Sequence, residues 1–249
     1  EVSTFTCTAG ATYDADGDLV SISYGWEVDG ASIASTGSTL SGADFSKKET
    51  VVCLVTPNDG TENGLLVRSN VVTVKNTIPV IGTVVLSPDP AYEMDVLNCL
   101  ASGTTDVDGD SVSYTYEWMV DSSVLTVGGS TLSGTYFDRG DVVICMVTPN
   151  DGDDDGLVVD SNTVTIENSI PELLSVSLTP TTAYENTTFS CVLGTSSDED
   201  DDPISFVYDW KVNGTSLGLG TDTLTGSYFD KTDSVSCSVQ PKDSLAYGT

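Results

Sequence analysis

Histidine is missing from this sequence altogether, and Lys and Arg together number 8 against 38 Asp and Glu. The first lack removes the commonest general base and the commonest ligand of transition metals. The second leaves a formal net charge of −30, which repels nucleic acid and anionic lipid and attracts cations. No apolar run is long enough to cross a bilayer as a helix, so no membrane insertion is expected within this window. Neither an initiator Met nor a signal peptide opens the chain; if the protein is exported, its signal lies outside this window or was removed. Long helix-forming runs are absent too. What remains abundant is Gly, Ser, Thr, Val and Asp, an all-β composition. The acidic residues are spread along the whole chain, which excludes an acidic tail.

Six cysteines fall into a pattern that organises everything else. Cys99 is followed by Trp118 and then by Cys145. Cys7, Trp26 and Cys53 repeat that spacing, as do Cys191, Trp210 and Cys237, so the copies stand 92 residues apart without insertion or deletion. A fixed period of this length is the mark of tandem small domains. The expected domains are residues 1–78, 79–170 and 171–249. Glu1 aligns with Glu93 and Glu185, and Thr249 aligns with Leu65 and Leu157. The first copy therefore lacks its opening strand and the third its closing strand. The chain reads as a slice of a longer array; alternatively neighbouring molecules donate the missing strands, making a head-to-tail homopolymer.

The second copy is the most complete. A run ending at Leu86 opens it, and Leu97, Cys99 and Ala101 then share one strand face. Val112, Tyr114, Tyr116, Trp118 and Val120 face one way while Ser113, Thr115 and Glu117 face the other. Val20, Ile22, Tyr24, Trp26 and Val28, and Ile204, Phe206, Tyr208, Trp210 and Val212, repeat this alternation. Period 2 with one apolar face is a half-buried antiparallel strand. Thr131 to Gly134 and a turn through Phe137 come next, then a strand carrying Val143, Cys145 and Val147, and a last strand over residues 163–167. Asn76 to Pro79 and Asn168 to Pro171 read as linkers.

Cysteines on the second and sixth strands with a tryptophan on the third resemble the immunoglobulin-like sandwich. The phrases Asp-Val-Asp-Gly-Asp, Tyr-Glu-Trp, Thr-Leu-Ser-Gly, Thr-Pro-Asn-Asp-Gly and Asn-Ser-Ile-Pro look like tandem Ig-like, PKD- or cadherin-like repeats of large bacterial surface and secreted proteins. The likeness covers the whole chain, although Val51, Val143 and Val235 stand where antibody-type domains carry a tyrosine. It implies three tandem immunoglobulin-like antiparallel β-sandwiches, an extracellular or cell-surface location, and intersheet disulfides Cys7–Cys53, Cys99–Cys145 and Cys191–Cys237. The alternative for the cysteines is buried free thiols. Two cysteines per repeat fit an oxidising compartment.

The loop between the second and third strands carries carboxylates at alternate positions: Asp14, Asp16 and Asp18; Asp106, Asp108 and Asp110; Asp198, Asp200 and Asp202. Like charges this close repel unless a cation gathers them. Oxygen-only clusters without His or Cys suit Ca²⁺, which takes six to eight oxygens. With no Glu at the twelfth position and no flanking helices, these loops are not EF-hands. A second acidic loop follows the sixth strand and supplies Asp59, Asp151 and Asp243. In an Ig-like sandwich both loops lie at one end, where the linker from the preceding domain arrives. The expected sets are Asp106, Asp108, Asp110 and Asp151 near Asn76, and Asp198, Asp200, Asp202 and Asp243 near Asn168. Calcium there would stiffen the array; the alternative is a solvated turn, for which Asp and Gly are ordinary. Lys47, Arg139 and Lys231 stand two residues before Glu49, Asp141 and Asp233, and are read as turn-supporting ion pairs.

Catalysis needs one asymmetric constellation, whereas every notable acid here recurs in all three copies, so no enzyme is expected. Two readings remain. The first is a structural repeat segment of an extracellular surface array or filament, stiffened by disulfides and Ca²⁺, whose partners are neighbouring repeats of the same or identical chains. The second is an adhesive or carbohydrate-binding module of a larger secreted protein, which should carry an exposed aromatic patch or one divergent loop. The segment Asp151 to Asp155 is the only divergent candidate, and it is acidic rather than aromatic.

Overall fold

Alternating β-branched and aromatic residues leave little besides strands in the computed structural model, which describes residues 3–249; Glu1 lies outside them. The helical content among these residues is three short 3-10 turns, Gly42–Asp44, Gly134–Tyr136 and Gly226–Tyr228. Among the described residues no helix is long and apolar enough to cross a membrane. Each turn follows the Thr-Leu-Ser or Thr-Leu-Thr phrase and leads into a buried Phe45, Phe137 or Phe229.

The described residues form two compact units, one running up to Val84 with Ala101–Thr115 and Val147–Val159, the other of Val85–Leu100, Tyr116–Met146 and Asp160–Thr249. These units do not follow the 92-residue period, because both draw on the second copy.

In the first unit, Ser21–Val28 pairs antiparallel with Thr50–Asn58 over its whole length, with Trp26 opposite Cys53. Ala31–Ile33 extends the sheet on one side, and Val67–Arg68 and Val72–Thr73 extend it on the other. Facing it, Thr4–Thr6 pairs with Thr39–Ser41. Cys7, Trp26, Leu40, Phe45, Val51, Cys53 and Val74 form the core, with Phe5 packed on it. The Cys7–Cys53 disulfide joins the two layers beside the indole, its Cα atoms 6.1 Å apart. The Trp26 indole N–H, too deep to reach water, donates to the Gly37 carbonyl at 2.9 Å.

The second unit repeats the design. Ser205–Val212 pairs with Val235–Lys242, with Trp210 opposite Cys237. Val176–Thr179, Phe189–Leu193 and Thr223–Leu224 make the opposing sheet. The Cys191–Cys237 disulfide and the Phe189, Trp210, Leu224 and Phe229 side chains fill the space between. The same unit holds the Cys99–Cys145 disulfide, with Leu132 opposite Leu97 in the adjoining sheet. The Trp118 and Trp210 indoles donate to the Gly129 and Thr221 carbonyls at 2.9 and 2.7 Å. The six cysteines are all bridged, so the free-thiol alternative falls. The fold is all-β, with antiparallel immunoglobulin-like layers and an intersheet disulfide in each copy.

Candidate cation sites in the acidic loops

The Asp-x-Asp-Gly-Asp phrase folds on itself through its first carboxylate. Asp106 Oδ1 accepts from the main-chain N–H of Asp108 at 2.8 Å and of Asp110 at 3.2 Å. Asp198 does the same for Asp200 and Asp202 at 3.0 and 3.3 Å. The turn needs a left-handed residue at its fourth position. Gly109 supplies it at φ 82°, and Asp201 supplies it at φ 55°, because a short polar side chain tolerates that region.

The loop after the sixth strand is also held by its first carboxylate. Asp151 Oδ1 accepts from the N–H groups of Asp153 and Asp154, both at 2.8 Å. Asp243 Oδ1 accepts from Leu245 and Ala246 at 2.5 Å each. Both aspartates are buried, at 7 % and 6 % exposure.

Each linker docks between these loops. In the first unit the Asn76 amide donates to Asp151 Oδ2 at 2.8 Å and to Asp154 at 3.1 Å, and the Thr77 N–H donates to Asp108 Oδ2 at 2.7 Å. In the second unit the Asn168 amide donates to Asp243 Oδ2 at 3.0 Å and the Ser169 N–H to Asp200 Oδ2 at 2.7 Å. The N–H of Asp154, then the Asn76 amide, hold the Asp151 carboxyl down at about 2. The Asn168 amide, then the N–H of Ala246, hold Asp243 below its ordinary range. These residues are therefore anions at neutral pH.

Asp106, Asp110 and Asp151 each present an oxygen within 4.8 Å of the others, and so do Asp198, Asp200 and Asp202. Oxygens that share one Ca²⁺ at 2.3–2.6 Å stand at most about 5 Å apart, so both triads have the right span. Among the described residues several inward oxygens have no donor. In the first unit these are Asp106 Oδ2 and Asp108 Oδ1. In the second they are Asp198 Oδ2, Asp200 Oδ1, Asp202 Oδ2, Asn168 Oδ1 and Ser169 Oγ. The Asp200 side chain is wholly buried and Ser169 is 7 % exposed. Buried oxygens without a donor are costly, and a hard cation is the ligand that satisfies several at once.

The first copy differs. Asp14 Oδ1 accepts from Asp16 and Asp18 at 2.9 and 3.1 Å, and Asp59 Oδ1 accepts from Thr61 and Glu62 at 2.7 Å each. The turns are the same, yet Asp14, Asp16, Asp18 and Asp59 do not form a convergent triad among the described residues.

The expected pairs of Lys47 with Glu49 and Arg139 with Asp141 are not what the structure contains. The Lys47 ammonium instead bonds Asp110, Asp153 Oδ2 at 2.6 Å and Asn76 Oδ1 at 3.1 Å. The bonds to Asp110 and Asp153 push its pKa up, while Lys47 and Lys48 hold Asp153 below its ordinary range. Arg139 reaches Asp202 Oδ1 at 3.1 Å and Asp200 Oδ2 at 3.6 Å. Glu49, Asp141 and Asp233 accept from the main-chain N–H three residues earlier, at 2.6, 2.8 and 2.8 Å. The acid thus closes its own turn, and the basic side chain is free to extend into the cluster. Sequence reasoning also missed Ser169; its signal was the hydroxyl residue that follows Asn in both linkers, Thr77 and Ser169.

The sequence matches no family model and no curated protein. Among solved structures it is similar to the FN1–FN3 domains of chicken CNTN1 (9% identity, 95% of this chain and 88% of that one, TM-score 0.34). It is also similar to three N-terminal domains of the bacteriophage RB49 highly immunogenic outer capsid protein Hoc (14% identity, 98% and 87%, TM-score 0.31). A third is a Ca²⁺-stabilized adhesin that helps an Antarctic bacterium reach out and bind ice (15% identity, 96% and 67%, TM-score 0.27). At these TM-scores none of the three carries an argument for this chain.

Proposed function

We propose that the chain is a structural segment of an extracellular array, built of three immunoglobulin-like domains with boundaries at 1–78, 79–170 and 171–249, whose junctions are stiffened by Ca²⁺. The observation that carries this reading is the set of five donorless buried oxygens where Asn168 and Ser169 meet Asp198, Asp200 and Asp202. Asp198, Asp200, Asp202, Asn168 and Ser169 would hold the ion there. Asp106, Asp108, Asp110, Asp151 and Asn76 form the corresponding set. The ion supplies the positive charge that lets the carboxylates remain together. The chain's own atoms do the rest: Asp243 and Asp151 orient the linker amide, and the linker N–H fixes one carboxylate of each loop.

Three disulfides support an oxidising, extracellular setting, and the recurrence of the three alternate aspartates and of Asp59, Asp151 and Asp243 in the same loops of each copy supports a non-enzymatic role. Limited proteolysis with a non-specific protease tests the reading. Calcium at 10 mM should slow cleavage at the linkers Asn76 to Pro79 and Asn168 to Pro171 relative to EGTA. Equal cleavage rates in both conditions would contradict it.

A further inference from the structure

The two acidic junctions are alike in turn geometry and unlike in what already fills them. In the second unit the Arg139 guanidinium meets Asp202 Oδ1 and Asp200 Oδ2, while Asp198 Oδ2, Asp200 Oδ1, Asp202 Oδ2, Asn168 Oδ1 and Ser169 Oγ have no donor. In the first unit Lys47 stands at the Arg139 position, and its ammonium is bonded to Asp110, Asp153 and Asn76 Oδ1. The carbonyl oxygen that is donorless on Asn168 is therefore occupied on Asn76. The Lys47 side chain is only 18 % exposed there. Asp153 and Asp154, which add charge beside it, have Leu245 and Ala246 as counterparts in the third copy.

We propose that the junctions take up calcium unequally, the second first, because the Lys47 ammonium acts as a built-in cation in the first. This inference rests on the calcium reading above. An ion entering the second cluster displaces no donor and meets oxygens that lack one. An ion entering the first must expel a point charge held by three acceptors, or bind beside it. A planar guanidinium keeps its charge spread along two fixed directions, whereas an ammonium sits compactly among its acceptors as a metal ion does. The first junction is thus largely closed by protein groups in the absence of calcium, with Asp106 Oδ2 and Asp108 Oδ1 left without a donor against five such oxygens in the second, which depends more on the ion.

Calorimetric titration with CaCl₂ at fixed ionic strength tests this on the intact chain and on Lys47→Met, Lys47→Arg and Asp200→Asn. The intact chain should show one tight ion, with a second at least about tenfold weaker, a difference of about 1.4 kcal/mol. Asp200→Asn should remove the tight class. Lys47→Met should strengthen the weak class about tenfold or bring it into range where it was too weak to see. Lys47→Arg, which puts at the first junction the guanidinium that the second already holds, should strengthen the weak class as well, though by less than Lys47→Met. Two equal classes in the intact chain would overturn the proposal, as would a weak class that Lys47→Met leaves unchanged or abolishes. Absence of binding in every variant, Lys47→Met included, would remove the calcium reading itself, a result distinct from equal binding.

Discussion

Replacing both Cys99 and Cys145 by alanine tests how much the intersheet bridges contribute. The bridge joins residues 46 apart, and the entropy returned to the unfolded chain on opening such a loop is about 4 kcal/mol at 25 °C. Cys145 is fully buried and Cys99 is 4 % exposed, so removing two sulfurs beside the fully buried Trp118 adds a packing loss to that figure. The Cys191–Cys237 pair closes a loop of the same 46 residues, but Cys237 is only partly buried. The entropic part is therefore common to both pairs, and the middle pair should cost more. Single domains are stable by about 5–15 kcal/mol, so either loss removes a large share of its domain's stability. Urea unfolding followed by tryptophan fluorescence reads the effect, since each copy has one indole beside its bridge. A loss below about 1 kcal/mol, or a larger loss from the third-copy pair than from the middle one, would refute the reasoning.

Gly226→Ala should destabilise by about 1–3 kcal/mol, because an added Cβ would lie 1.8 Å from the Glu185 main-chain oxygen; thermal melts check this, with Gly220→Ala, which meets open space, as the control. Asp233 gives a pH prediction. Its carboxyl is held below the ordinary 3.8 by the Asp230 N–H and the Asn213 amide. A depressed folded pKa contributes stability that is present above 3.8 and lost as pH falls through the lower folded value. Asp233→Asn should therefore be less stable than the parent at neutral pH, and the gap should close under acid in paired urea titrations.

Much of the fold was legible because its signals are local or periodic. The alternation from Val112 to Val120 sets which residues face the core, and one register choice then puts Trp26 opposite Cys53 and Trp210 opposite Cys237. The cysteine spacing gave all three bridges once the sandwich was assumed. The loops at 106–110 and 198–202 were legible because alternate aspartates with a residue that tolerates the left-handed region in fourth place, Gly109 or Asp201, encode their own turn. Lys47 was not. Spacing along the chain suggested Glu49, two residues away, but the partner Asp110 lies 63 residues on, brought near only by tertiary packing. Asp14, Asp16 and Asp18 show the converse. Their alternate aspartates match those of the other two copies, yet they do not converge among the described residues, where no linker such as Asn76 and Thr77 meets the loop. Nor does any pattern announce that Trp26 will donate to a carbonyl eleven residues away.

Calorimetric melting of the intact chain in 10 mM CaCl₂ against the same buffer with EGTA tests the calcium junctions most directly. With extracellular-type affinities of about 10⁻⁴–10⁻³ M, mass action gives about 1.4–2.7 kcal/mol per site. That corresponds to a rise in Tm of about 3–10 °C for a chain of this size, and Asp200→Asn should diminish it. Superimposable melting curves in calcium and in EGTA would contradict the account.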